Sequence, residues 1–188
     1  MQGKQIVFVG EMKVEVSPLE FSDTNLEETE IISKTLFSLI SPGTELAMLT
    51  GLADISQGRT SSYPIRAGYA AVDEVLAVGA KVDQFKVGDI VFNQGNHVSH
   101  HRVDILKMPI LRVPSGVSLE EAPFARICGV SMTTLRTTRA RPGDLVAVFG
   151  LGLVGNLASQ VFQASGYEVV GIDINAGRRE VAKRCGIR

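Results

Sequence analysis

Cysteine is nearly absent from this sequence: of 188 residues, only Cys128 and Cys185 carry a thiol. Two cysteines without pair spacing exclude a metal knuckle or a structural four-cysteine zinc lobe, and reduced thiols are expected. Charge of either sign is not in excess. A net charge of -1 and a pI near 6.3 leave no electrostatic footprint for nucleic acid or an anionic membrane, so neither is expected as a partner. Long apolar runs are missing too, because the opening "MQGKQIVFVGEMKVEV" alternates apolar and polar residues and is broken by Gly10 and Glu11. Such a stretch is neither a signal peptide nor a membrane span, and a cytoplasmic protein is expected.

What is present is the composition of a globular protein with a sizeable core: 45% hydrophobic and 21% charged residues. The first hundred or so residues carry short β-rich runs, "QIVFVG", "KVEVSPLEF", "EIISKTLFSLI", "AAVDEVLAVG", "DIVFNQG" and "HHRVDILKM", punctuated by Gly, Pro, Asn and Asp. They predict a small, mostly antiparallel barrel or sandwich. After Pro114 the character changes. "SLEEAPFARICGVSMTTLRTTRA" opens with Ser118 and Glu121 in capping-box spacing, and its apolar residues recur at near-helical spacing until Arg141-Pro142-Gly143. One helix, or two meeting near Gly129, is expected there. The boundary divides the chain into residues 1–117 and 118–188.

"DLVAVFG" is short and almost wholly apolar, as expected of a strand buried on both faces of a parallel sheet. It runs into "VFGLGLVGNLASQVFQASG", where Gly150, Gly152 and Gly155 stand in G-x-G-x-x-G register and Gly166 closes the following helix. In this motif the first glycine permits the tight turn, the second lets the backbone approach a pyrophosphate, and the third lets helix and strand pack closely. Phosphates would meet the helix N-terminus near the N–H groups of Leu153 and Val154. A second strand, "YEVVGID", ends at Asp173. A carboxylate there accepts hydrogen bonds from ribose hydroxyls and repels a 2′-phosphate, so NAD is expected. Arg178 and Arg179 close behind keep NADP open, and Asp173 as a helix N-cap is the competing structural reading.

"TLFSLISPGTELAMLTG", "GYAAVDEVLAVGAKVDQFKVGDIVF", "VPSGVSLEEAPFA" and "RPGDLVAVFGLGLVGNLASQ" occur in this order. Together they make the chain resemble the medium-chain dehydrogenase/reductase superfamily, which includes zinc alcohol dehydrogenases and quinone oxidoreductases. The resemblance implies a fold of mixed β and α/β class: a GroES-like N-terminal barrel followed by a partial Rossmann domain. Zinc members read Cys-Gly-Thr/Ser-Asp and Gly-His-Glu where this chain reads Pro42-Gly43-Thr44-Glu45 and Gly68-Tyr69-Ala70. Arg126 stands nearest the third ligand position with Cys128 just beyond, and one cysteine cannot hold a zinc ion alone. No catalytic or structural zinc is expected. The Ser-Pro-Gly-Thr-Glu variant resembles the branch that includes bacteriochlorophyllide hydroxyethyl dehydrogenases, which suggests a bulky or ring-bearing alcohol.

Without a Lewis acid, hydrogen bonds must handle charge on the substrate oxygen. Thr44 stands where zinc relatives keep a proton-relaying hydroxyl; it reads equally as a helix cap. Tyr69, at the position of a histidine ligand, reads either as a donor to a carbonyl oxygen or as a plug that packs the vacant metal site. Histidine is scarce, and His97, His100 and His101 all fall in "NHVSHH". His97 and His101 would share one face of an extended strand, with His100 on the other. His97 or His100 is a candidate proton shuttle, and exposed strand histidines are the plain alternative. Glu45 is expected to orient Tyr69 or a helix start.

The expected activity is hydride transfer between a nicotinamide cofactor and a secondary alcohol or ketone, a small-molecule substrate. An NADPH-dependent enone or quinone reductase and a non-catalytic nucleotide-binding or assembly protein are the alternatives. "CGIR" stands where a third Rossmann strand should begin, so the sequence reads as a segment of a longer protein. A homodimer is expected of the full-length chain.

Overall fold

A computed structural model describes residues 2–52 and 62–188, in two compact units that divide between Pro123 and Phe124. The described residues of the first unit form eight strands: β1 (Gln2–Gly10), β2 (Lys13–Glu20), β3 (Glu30–Ser38), β4 (Ile65–Arg66), β5 (Ala71–Val78), β6 (Ile90–Asn93), β7 (His100–Asp104) and β8 (Ile110–Arg112). Every pairing among them is antiparallel, in a three-stranded sheet β2-β1-β4 and a five-stranded sheet β7-β3-β5-β6-β8. Helix α1 (Pro42–Leu49) follows β3.

Apolar alternation along the central strands builds the core. Ile31, Val75, Val91 and Val103 pack with Val82 and Phe85, while Val72 and Phe92 join Ala70 and Ala122 in a second cluster. The two sheets are stitched together by residues 97–99. Ile6 donates its N–H to the His97 carbonyl at 2.9 Å, Ser99 donates to the Lys4 carbonyl at 2.8 Å, and Gln5 forms a bridge with Val98.

One side chain in this core is a carboxylate. Asp73 is 0% exposed, at an inward position of β5. Its Oδ2 accepts from Ser33 Oγ at 2.6 Å and from Asn93 Nδ2 at 2.8 Å, and pairs with His101 Nδ1 at 2.6 Å. The partners come from β3, β6 and β7, so one oxygen ties three strands to a fourth. Burying a charge costs several kcal/mol unless such groups offset it.

The second unit begins with α2 (Ala125–Thr137) and continues as β9 (Leu145–Phe149), α3 (Leu153–Ala164), β10 (Glu168–Ile172) and α4 (Ala176–Arg184). β9 and β10 are parallel and in register from Leu145↔Glu168 to Phe149↔Ile172, with α3 as the crossover. Val146, Val148 and Val169 pack against Leu135 of α2, Phe162 of α3 and Ala182 of α4 in a single cluster, so the three helices cover one face. Leu145 and Phe149 project from the other face and are 66% and 77% exposed, because no described element of this unit lies over them.

Two further expectations change in detail. α2 opens at Ala125 rather than at Ser118, because a 3₁₀ turn over Ala122–Phe124 intervenes. The Ser118 carbonyl accepts from Glu121 and Ala122 as an isolated turn. Pro123 can donate no N–H, so the regular ladder starts after it. α2 then runs unbroken through Gly129. Gly166 ends α3 as expected, at φ +87°.

Removing the Asp73 carboxylate strands His101 and two further donors. Asp73→Ala is therefore expected to lower the unfolding free energy of the first unit by about 3 kcal/mol or more in urea titration. A loss below about 0.5 kcal/mol, the scale of an ordinary surface change, would show that the carboxylate does not hold these strands.

Candidate functional site

The glycine turn takes its shape from backbone constraints. Gly150 sits at φ +88°, where a side chain is strained, and a Cβ at Gly155 would run into the Gly150 carbonyl oxygen. Gly152 is the N-cap of α3 and supplies no capping side chain, so the first-turn N–H groups of Leu153 and Val154 stay open to an anion. Asn156, 9% exposed in that first turn, has a buried Nδ2 without a partner.

Asp173 closes the turn from below. Its side chain is 3% exposed. Oδ2 accepts from the Leu151 N–H and Oδ1 from the Asn175 N–H, both at 2.7 Å. These two backbone donors, that of Asn175 foremost, hold its carboxyl below the usual aspartate range. Arg178 Nη1 lies 3.6 Å from Oδ2, and Arg179 donates to the Asp173 and Ile174 carbonyls. Asp173 is not the N-cap of the following helix. Asn175 is, accepting from the Arg178 N–H.

The sequence candidates of the first unit do not form one group. Thr44 lies in the first turn of α1, exposed, and is not the cap of that helix. Ser41 holds the N-cap position, and Glu45 Oε1 reaches back to accept the Ser41 N–H at 2.7 Å. Pro42, at the first helical position, has no donor to lose. Tyr69 is half-buried just before β5.

Exposed strand histidines are the expectation that fails most clearly. His97 is 5% exposed and His101 8%. His97 lies outside β7, in the connection that follows β6, so the shared strand face does not exist. Its Nε2 meets Glu45 Oε2 and its Nδ1 meets Ser38 Oγ, both at 2.9 Å. Its backbone is clamped as well, with the N–H on the Ala67 carbonyl at 2.7 Å. His100 is separate: it stacks on Phe21 with ring centroids 5.5 Å apart, and Ser99 Oγ meets its Nδ1. Burial, aided by Lys34, pushes its pKa down and keeps the ring neutral.

Glu45 thus orients a helix start, as expected, but its second partner is His97. Ser38, Ser33, Asp73 and Asn93 escaped the sequence reading. The signal for Asp73 was there, as a lone carboxylate within the apolar run "AAVDEVLAV". Cys128 is no nucleophile, since burial raises its pKa and keeps the thiol protonated. Among the described residues, no three His, Cys, Asp or Glu side chains converge as a metal site, and no helix is long and apolar enough to cross a membrane.

The glycine turn of the βαβ unit has the backbone geometry of a dinucleotide-binding fingerprint. No family model matches the chain. The sorbitol dehydrogenase of Bacillus subtilis (strain 168) is 26% identical over 210 residues, covering 94% of this chain and 56% of that protein. The alcohol dehydrogenase TADH from Thermus sp. ATN1 superposes with a TM-score of 0.82 at 23% identity, covering 98% of this chain and 62% of that one. The Escherichia coli quinone oxidoreductase complexed with NADPH superposes at 0.75, also at 23% identity, over 98% of this chain and 56% of that one. These sequence relatives and structural neighbours are medium-chain dehydrogenases/reductases, and the chain shares their fold. It spans between half and two thirds of the length of these three proteins.

The depressed pKa of Asp173 fixes the sign of a pH effect. Its charged form stabilises the fold above the usual aspartate value of 3.8, and that stabilisation is lost as pH falls through the lower folded value. The melting-temperature gap between the wild type and Asp173→Asn should hold constant near neutrality and shrink only in acid. A gap that closes already between pH values of about 6 and 5, well above the carboxylate range, would contradict the assignment.

Proposed function

We propose that the protein is an NAD-dependent oxidoreductase that moves a hydride between the nicotinamide and a secondary alcohol or ketone, without a catalytic zinc ion. One observation carries the reading: the Gly150-Gly152-Gly155 turn is bound to Asp173 at the end of the second parallel strand. The residues fit such a cofactor. The Leu153 and Val154 N–H groups would hold the pyrophosphate at the helix N-terminus. Asp173 would accept from the ribose hydroxyls, with Arg178 beside it. The bound dinucleotide supplies the hydride acceptor; orientation and proton handling fall to this chain.

The donor set supports zinc independence. Pro42, Tyr69 and Ala70 offer neither thiolate nor imidazole where zinc relatives place their ligands. Of the substrate-side candidates, His97 is held from both ring nitrogens and is the best-oriented proton carrier. Thr44 and Tyr69 stand as hydroxyl donors toward substrate, and His100, in its separate surroundings, stands as a secondary candidate.

A second reading, an NADPH-dependent enone or quinone reductase, draws on Arg178, whose side chain is 59% exposed beside Asp173 and could receive a 2′-phosphate. The two readings are told apart by titrating NAD and NADP calorimetrically and assaying secondary alcohols against activated alkenes. The first requires NAD to bind at least about tenfold tighter, and Asp173→Ser to lose most of that preference, an effect of about 1.4 kcal/mol. Tighter binding of NADP together with alkene reduction would replace it with the second.

A further inference from the structure

One cavity of the first unit is lined by none of Thr44, Tyr69 and His97. It holds about 390 Å³ and is bordered by Leu19–Ser22 at the end of β2, by Arg66 of β4 and by residues of the 95–103 segment. We propose that it is a binding site for a small planar aromatic carboxylate, gripped by the Arg66 guanidinium and by the stacked rings of Phe21 and His100.

Two guanidinium groups border the cavity, and only one is spent. Arg102 pairs with Glu30 through Nε at 2.8 Å and Nη2 at 2.6 Å, and it donates to the carbonyls of Ser22, Thr24 and Asn25. Its charge is matched, and its bonds fix the chain where it leaves β2. Arg66 is different. Its side chain is exposed, and among the described residues no carboxylate or carbonyl accepts from it. Its backbone is nevertheless held, because Arg66 pairs with Val7 of β1 and its carbonyl accepts from Asn96 Nδ2 at 3.2 Å. A guanidinium on a fixed strand, with its donors open, is a fork for a carboxylate. Glu20 lies on the same rim, exposed and without a cationic partner among the described residues. With Arg102 neutralised by Glu30, Arg66 faces Glu20 alone, and that balance disfavours a dianion such as phosphate.

The rings supply the flat half of the site. Phe21 and His100 stack with centroids 5.5 Å apart and planes 16° from parallel. Burial keeps the imidazole neutral, so the pair offers π surface rather than charge. The ring is anchored through Nδ1, 3.0 Å from Ser99 Oγ, and Ser99 Oγ accepts the Lys4 N–H at 2.8 Å. Nε2 has no partner among the described residues and is left as a hydrogen-bonding atom for a ligand. Leu19, Val98, Val103 and Met108 make the remaining lining apolar. An aromatic body against these groups, with its carboxylate on Arg66, uses what the cavity offers and requires little reordering of its walls.

Ligand titration of the chain reads the site without any turnover. 2-Naphthoate should saturate with a Kd of roughly 1 mM or tighter, as expected of a well-seated ligand of that size. 2-Naphthamide, its uncharged isostere, should bind at least about tenfold more weakly, the scale of hydrogen bonds to a charged group. 2-Naphthyl phosphate should bind no tighter than the carboxylate. Arg66→Ala should weaken naphthoate binding at least about tenfold at an unchanged melting temperature, and Arg66→Lys, which keeps the charge without the fork, by less. Phe21→Leu should weaken it roughly threefold, the scale of an aromatic contact. The His100 ring protons, assigned by their loss in His100→Gln, should shift on saturation. No saturation by about 10 mM, tenfold above the expected Kd, overturns the site, as does naphthamide binding as tightly as naphthoate or an unchanged affinity in Arg66→Ala. Tighter binding of the phosphate overturns the carboxylate class, and His100 signals that stay in place at saturation overturn the location.

Discussion

The polar site of the first unit depends on one buried carboxyl group. Asp73 has no exposed surface, and one of its oxygens serves Ser33, Asn93 and His101 at once. Placing a charge there would cost far more than any single hydrogen bond returns, so the position is tolerable only with all three partners in place. Their placement constrains the neighbouring loop. Asn93, held through its amide nitrogen, uses its oxygen to accept the Gly95 N–H at 2.7 Å. His101 Nε2 lies 3.1 Å from the Asn96 carbonyl, and Asn96 donates to the Gly68 carbonyl at 2.8 Å. The connection from residue 93 to residue 97 is thereby held from three sides, and it delivers His97. A buried core carboxyl group therefore helps set the direction of an imidazole several residues away.

The second unit also organises a loop around a buried carboxylate. The G-x-G-x-x-G turn must keep several N–H groups pointing at a ligand, a conformation with few internal bonds of its own. Asp173 supplies two, to Leu151 within the turn and to Asn175 beyond the strand. Gly155 supplies the other constraint by letting α3 approach the Gly150 carbonyl. The turn is thus organised by the same carboxylate that would meet the ribose, and little ordering is left to be done on binding. In both units an acidic residue shapes a loop, Asp73 from within a strand and Asp173 from just past one. Both side chains are buried, Asp73 at 0% and Asp173 at 3% exposure; they differ in what they shape, a strand core in one case and a glycine turn in the other.

Local chemistry was legible in the sequence, and distant chemistry was not. The glycine register, the change from β-rich to helical periodicity, the second strand ending at Asp173 and the Gly166 stop each depend on neighbours within a few residues. Periodicity reports such neighbours directly. The Ser118 capping pattern failed because Pro123, inside the same window, displaced the helix start to Ala125. The strand "DLVAVFG" has the composition of a two-sided core strand, but composition does not say which faces are covered. The histidines were misjudged for a deeper reason. His97 meets Ser38 and Glu45 across 59 and 52 residues of chain, through pairings fixed only when β1, β3 and the 97–99 segment come together. No local pattern encodes that meeting, and a polar cluster "NHVSHH" reads as surface until its partners are known.

Glu45 shows how tightly the retained turn is tied to its new partner. One carboxylate oxygen satisfies the Ser41 N–H at the start of α1, and the other holds His97. Pro42 fits between them because the first helical position requires no donor and its ring fixes φ near the helical value. Forming the helix and aiming the imidazole are therefore a single event, not two contributions that add. A residue that offered only a helix-starting acceptor would leave Nε2 of His97 buried without a partner, a cost comparable to the helix cap itself. "SPGTE" is thus a compact unit in which the proline starts the helix and the glutamate couples that start to a site built from the far side of the barrel. Its sequence differs from the zinc-binding pattern at the metal's own ligand, but it still sets the position of a buried imidazole.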